Sequence, residues 1–280
     1  MSTEIIGQSK ESSQVILNRT IHSTVLFVLS FVLVYFLQNV ALTIAAAIFH
    51  FDPVLYFSNV ILTNKQVQNI STTIFVNSSG ILADLVIGFV CFRISFFLRS
   101  SPGLLKLLFQ WMGLHGYLLF LSQIALVIFF SDNYFGVIIS MLGGDIYFRF
   151  TTMILAFVGI VFLGLMCTRS FLQLSNTSFY MRQIERRREF IQQVALIPWL
   201  VGSVVAFLFF LPETSLFVSA VLLVNGFTLT VTYFFAAASS NASIKLYRHP
   251  QIKNLKYQYF LILILLYVVS HFLMSKGIKF

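Results

Sequence analysis

Residues 23–49 read STVLFVLSFVLVYFLQNVALTIAAAIF, 27 positions without a charged side chain. Crossing the hydrocarbon core of a bilayer takes about 20 mostly apolar residues in a helix. A run this long with no charged face has no place on the surface of a soluble domain. Working outward, similar runs follow at 72–98, 113–131, 151–167, 194–211, 215–238 and 257–273. The expected fold is therefore all-α, a polytopic transmembrane helical bundle of about seven spans. A shorter apolar piece at 134–142, about half a span, precedes Gly143-Gly144-Asp145 and suits a re-entrant or interfacial segment.

Composition agrees. Hydrophobic residues make up 58% of the chain and charged residues only 10%, against about 25% charged in soluble domains. The net charge of +9 would suggest nucleic acid in a soluble protein. Here the basic residues gather between apolar runs, so the cytosolic face of a bilayer is the better partner and nucleic acid is not expected. Cys91 and Cys167 both lie in apolar runs, with neither metal-ligand spacing nor the pattern of a disulfide framework. The polar start, residues 1–19, leads into an apolar run too long for a cleavable signal peptide.

The basic residues also set the orientation. Lys10, Arg19, Arg93, Arg99, Lys106, Arg169, Arg182, Arg186, Arg187, Arg188, Lys245, Arg248, Lys253 and Lys256 fall on one side, 14 of the 18 Lys and Arg. Only Lys65, Arg149, Lys276 and Lys279 fall on the other. Positive residues accumulate on the cytosolic side, so the amino terminus is expected in the cytosol and the carboxyl terminus outside. Seven-helix receptors of the G-protein-coupled type have the reverse orientation. The expected organisation is a cytosolic segment 1–22, a four-span part 23–167, a basic cytosolic loop 168–193 and a three-span part 194–280. In that loop Arg186, Arg187 and Arg188 have two readings: a solvated anchor, or a site for anionic lipid or an acidic partner.

Polar residues within the spans carry the remaining information, because charge near the bilayer centre costs at least about 2.5 kcal/mol. Asp84 is the clear case. It lies in Val76-Asn77-Ser78-Ser79-Gly80-Ile81-Leu82-Ala83-Asp84-Leu85-Val86-Ile87-Gly88, where Gly80, Asp84 and Gly88 share one helix face. Small residues at that spacing admit a neighbouring helix. The stripe is either a packing surface holding one satisfied neutral acid, or the site of a proton, ion or metal ligand. Gln38 and Asn39 interrupt the first span, with His50 and Asp52 at its end, and His115 and Gln123 belong to the third. His50 and His115 are expected at the interface rather than on a metal. Asp145 follows two glycines where the backbone could bend inward, and Asn225 and His271 stand isolated.

The order of these pieces resembles the site-two-protease type of intramembrane zinc metalloprotease, over roughly residues 36–146. Gln38-Asn39-Val40-Ala41-Leu42 resembles the first-helix His-Glu-x-x-His segment with its following small residues. Ser79-Gly80-Ile81-Leu82-Ala83-Asp84-Leu85 is similar to the Gly-Pro-containing element, and Gly143-Gly144-Asp145 stands where an Asp-bearing element would be. The resemblance implies a zinc protease scaffold, yet the histidine positions are Gln38 and Leu42 and the general-base position is Asn39. Zinc needs nitrogen, sulfur or carboxylate ligands and a base for its water. The expectation is thus a degenerate member, with no metal, no cofactor and no catalytic residue, acting as a binding or scaffold protein in a bacterial inner membrane. Its expected partners are the lipid bilayer and another membrane protein docked on the Gly80–Asp84–Gly88 face. Two rivals stand beside it: an ion- or proton-coupled carrier using Asp84, and an active metallopeptidase rebuilt on His50, Asp52, His115 or Asp145.

The charge asymmetry generates a direct prediction. Reporter fusions after Lys106, Arg188 and Lys253 should read cytosolic, and fusions near Lys65 and Glu213 external; two or more reversed reporters would overturn the orientation.

Overall fold

Inside a bilayer no water is present to satisfy backbone N–H and C=O groups, so helices, which satisfy their own, dominate. The computed structural model describes residues 13–63, 69–98, 103–175, 183–211, 216–238, 256–269, 272 and 276–280. Its helices are α1 (Ser13–Ile48), α2 (Ile70–Phe97), α3 (Gly103–Ala125), the short α4 (Tyr134–Met141), α5 (Ile146–Leu172), α6 (Ile184–Ile191), α7 (Ile197–Phe209), α8 (Leu216–Ala238) and α9 (Tyr257–Val268). A π-helical turn, Gln192–Leu196, joins α6 to α7 in one continuous rod. Among the described residues, six helices, counting the α6–α7 rod as one, are long and apolar enough to cross a membrane, and α9 is a shorter apolar helix of 12 residues. Large apolar side chains such as Leu155, Val158 and Phe162 on α5 are more than half exposed, as befits an integral membrane protein whose solvent is lipid.

Helix α1 is the axis. Its 36 residues extend about 54 Å at about 1.5 Å per residue. It packs against α2, α3, α7, the π-turn and α9, so the four-span and three-span parts of the sequence share one core. At one end His22 Nε2 accepts the backbone N–H of Lys256 (2.9 Å), placing the start of α9 beside α1. At the other end Pro53–Leu55 (β1) pairs antiparallel with Val60–Leu62 (β2) and with Ile278–Lys279 (β3), in the order β2-β1-β3. The tip of the β1–β2 hairpin turns back along α1: Tyr35 Oη donates to Ser58 O (3.0 Å) and Asn39 Nδ2 to Phe57 O (3.2 Å). Non-helical backbone at this depth is tolerated because side chains of α1 take up its carbonyls.

The small-residue stripe of α2 is covered from within the chain. A Cβ on Gly88 would lie 2.8 Å from Tyr117 N, and one on Gly116 would lie 2.5 Å from Gly88 N, so α2 and α3 cross almost backbone to backbone. Gly80 faces α1 instead, with Gln38 Cγ at 3.5 Å and Leu42 Cδ1 at 3.6 Å from its Cβ position. The helix expected to dock on Gly80, Asp84 and Gly88 is therefore supplied by α1 and α3. A second close crossing joins α5 to α8, where Thr168 Oγ1 donates to Thr232 O (3.2 Å) and Thr232 Oγ1 to Gly164 O (3.0 Å).

In α7, Pro198 brings no N–H to the helix, which deprives the carbonyl of Val194, four residues earlier, of its usual donor. Ser23 Oγ on α1 donates to that carbonyl (2.6 Å) and in turn accepts Trp111 Nε1–H from α3 (3.1 Å).

Several elements differ from the sequence expectation. Helix α3 starts ten residues before the predicted boundary of 113, and Lys106 lies inside it with 2% exposure. The stretch 168–193 is largely helical at both ends, since α5 runs to Leu172 and α6 starts at Ile184. Lys10, Lys65, Arg99, Arg182, Lys245, Arg248, Lys253 and His271 lie outside the described residues.

The glycine crossing predicts a graded series. Gly88→Val and Gly116→Val should each destabilise the folded protein by about 1–3 kcal/mol through forced separation of α2 and α3. Gly80→Ala, whose Cβ meets only ordinary contacts, should be near neutral. Thermal unfolding in detergent measures all three, and equal losses would refute the assignment of the tight crossing.

Candidate functional site

A cleft of about 390 Å³ opens at the end of the bundle that carries the β-sheet. Its floor is Gln38 from α1 and Gln123 from α3; Tyr35 and Tyr134 form walls, and Phe129, Phe130, Phe217 and Asp132 reach the mouth. Three separate stretches of chain build it. Helix α4 is fixed there because Asn133 caps it, accepting Gly136 N–H (2.6 Å), and donates through Nδ2 to Gln123 O (3.1 Å). Tyr134 Oη donates to Asn39 Oδ1 (3.3 Å), which ties the start of α4 to α1.

Gln38 and Gln123 are each 1% exposed, yet Gln38 Nε2 and Gln123 Oε1 have no hydrogen-bond partner among the described residues. Leaving a buried polar atom unsatisfied costs about 1–3 kcal/mol. Polar atoms in that state at a cleft floor are places where a ligand or ordered water completes the bonding.

Asp84 lies behind this cleft. It is fully buried on α2, one turn from Gly80 and hence from Gln38, and within electrostatic reach of Tyr35 and Tyr134. Neither carboxyl oxygen has a hydrogen-bond partner among the described residues. The satisfied acid expected from sequence is thus buried but without the expected hydrogen bond.

Of the motif-like positions, the structure brings Gln38 and Leu42 against Gly80 and places Asn39 on Tyr134 and the hairpin. Asn39 is an anchor for irregular backbone. Asp145 does not join them: it is exposed at the N-terminus of α5, where its side chain accepts Phe148 N–H (2.8 Å). That helix cap replaces the inward bend expected at Gly143-Gly144, although Gly143 does adopt a left-handed φ of 71°.

His115 is also elsewhere, and the interfacial expectation is corrected. It is fully buried at mid-helix, stacked on Trp111, edge-on to Phe27 and Phe31, with Nδ1 3.1 Å from Asn225 Nδ2. Asn225 is thereby no longer isolated. His50 and Asp52 follow α1 in left-handed backbone conformations at the sheet. Among the described residues, no three His, Cys, Asp or Glu side chains gather where they could hold a metal ion. Sequence reasoning missed Tyr35, Asp132 and Tyr134; the one signal for Tyr134 was its place at the head of the half-span.

Three substitutions separate structural from ligand roles. Asn39→Leu should cost about 1–3 kcal/mol, because Phe57 O and Tyr134 Oη lose partners while buried. Asp145→Ala should cost about 0.5–2 kcal/mol as a lost helix cap, and Asp145→Asn, which still caps, far less. Chemical or thermal unfolding distinguishes the three. Compared with known proteins, the chain matches no family model, no curated protein and no solved structure.

Proposed function

We infer that this protein is a non-catalytic binding or scaffold protein of a bacterial inner membrane, crossing it seven times with its amino terminus cytosolic and its carboxyl terminus outside. The seventh crossing draws support from α9, which starts beside His22, and from β3, which pairs with β1 at the far end of α1. The observation that carries the binding role is that Gln38 and Gln123, which line the cleft, each bury one carboxamide atom, Nε2 and Oε1, with no partner among the described residues. A scaffold related to the site-two-protease type accounts for the face-to-face placement of Gln38 and Gly80. In that descent the ligand positions have become amides and Leu42, and Asn39 has taken a structural task. Lipid surrounds the bundle, and anionic headgroups are the proposed partners of Arg186, Arg187 and Arg188. Arg187 turns inward at 4% exposure, while Arg188 lies over the Tyr233 ring, 5.7 Å from its centroid.

One observation favours a second reading, an ion- or proton-coupled carrier: both oxygens of Asp84 are buried without partners among the described residues, and intramembrane acids mark ion and proton pathways.

Asp84→Asn separates the two. On the binding reading the variant inserts, folds and melts like the parent, and neither protein moves protons or sodium in reconstituted vesicles. A flux in the parent that disappears in Asp84→Asn at unchanged stability would replace the binding role with the carrier. Elemental analysis of purified protein should show well under one zinc per chain, and stoichiometric zinc lost with His115→Ala or Asp145→Ala would restore the enzyme.

A further inference from the structure

The geometry points to a small organic ammonium group as the occupant of the cleft between α1, α3, α4 and α8. This rests on the binding reading above and specifies its ligand class. The single formal charge among the described lining residues is negative, Asp132 at the mouth, and none of those residues is Lys or Arg. Tyr35, Phe129, Phe130, Tyr134 and Phe217 surround the space with aromatic rings, whose faces attract an ammonium, the more so when water is excluded. At the floor, Gln123 Oε1 is a buried acceptor with no donor among the described residues. Gln38 Nε2 is likewise buried without a partner among them; turning its carboxamide by half a rotation puts its oxygen there instead, since the two ends are sterically alike.

An ammonium carries up to three N–H donors, which carboxamide oxygens at the floor can accept, while the Asp132 carboxylate at the mouth, one oxygen of which accepts Ser131 Oγ–H (3.0 Å), attracts the cation by its charge. The amino ends of α4 and α8 border the cleft and oppose a cation. Each offers only about half a charge, however, and Asn133 already caps α4. A cavity of about 390 Å³ lies within the range of about 300–1,000 Å³ typical of small-molecule sites. Phe129, 72% exposed, leaves the mouth apolar as well as acidic. The chemistry is shared by a free amine and by the ethanolamine headgroup of a lipid.

The test uses the full chain in nanodiscs, with n-butylammonium as the probe and saturation-transfer NMR as the readout. In phosphatidylglycerol discs butylammonium should bind, and N-methylacetamide and butyrate should bind at least tenfold more weakly. Gln123→Leu should weaken butylammonium about tenfold and Asp132→Asn several-fold; Asp132 is exposed, so Asp132→Asn keeps the probe falsifiable should Gln123→Leu fold poorly. Loss of butylammonium binding in phosphatidylethanolamine discs would identify the lipid headgroup as the occupant, whereas retained binding identifies a free amine; either supports the ammonium class. Preferential binding of N-methylacetamide or butyrate overturns that class and leaves the binding reading intact. If no probe binds in either disc, the cleft is a hydration site and both fall.

Discussion

The close approach of α2 and α3 at Gly88 and Gly116 is the constraint on which the other placements depend. With no hydrophobic force between helices in lipid, association rests on packing and on interhelical hydrogen bonds. Removing both Cβ atoms lets two backbones come within van der Waals contact. This crossing fixes the rotation of α2 about its own axis. Once Gly88 faces α3, Gly80 two turns earlier faces α1 at Gln38, and Asp84 between them is directed into the bundle. A larger residue at the crossing would displace the floor of the cleft as well as the helix pair.

Polar groups in the interior fall into two populations. One is fully engaged: Asn39 and Tyr35 hold the hairpin, Asn133 holds α4, and Thr168 and Thr232 lace α5 to α8. These bonds position irregular backbone and rotate helices into register. The other population is buried with atoms left over: Gln38, Gln123 and Asp84 at or behind the cleft, and elsewhere Thr73, Ser95, both ends of the Gln110 carboxamide, His115 Nε2, Ser203 and Asn225 Oδ1. In a low-dielectric interior such atoms are costly, and Gln38 and Gln123 differ from the rest in lining an open cleft.

The spans were legible because long apolar runs have few alternatives, and the packing stripe was legible because Gly80, Asp84 and Gly88 repeat at helical spacing. What covers the stripe was not, since nothing local distinguishes a partner protein from α1 and α3 of the same chain. His115 was misplaced for a traceable reason. Lys106 made residues 103–112 read as a polar connection, whereas α3 begins at Gly103, so a residue expected near the membrane surface lies at the helix centre. Asp145 was drawn into a motif by two preceding glycines, but an Asp before a helix most simply caps it. The cleft was invisible because its lining comes from three stretches far apart in sequence, 35–38, 123–134 and 216–217.

The carbonyl freed by Pro198 has a consequence for how this chain can change over time. Pro198, Ser23 and Trp111 sit on three different helices and form a single relay: the proline creates the vacancy, the hydroxyl fills it, and the indole directs the hydroxyl. Ser23 is useful only while position 198 lacks an N–H, and Trp111 gains its acceptor only while position 23 bears oxygen. The three positions are therefore not free to drift independently. Restoring an ordinary residue at 198 would relax the demand on 23, whereas replacing Ser23 alone would strand two groups at once. The order in which substitutions arrive, rather than their number, decides which sequences this bundle can reach.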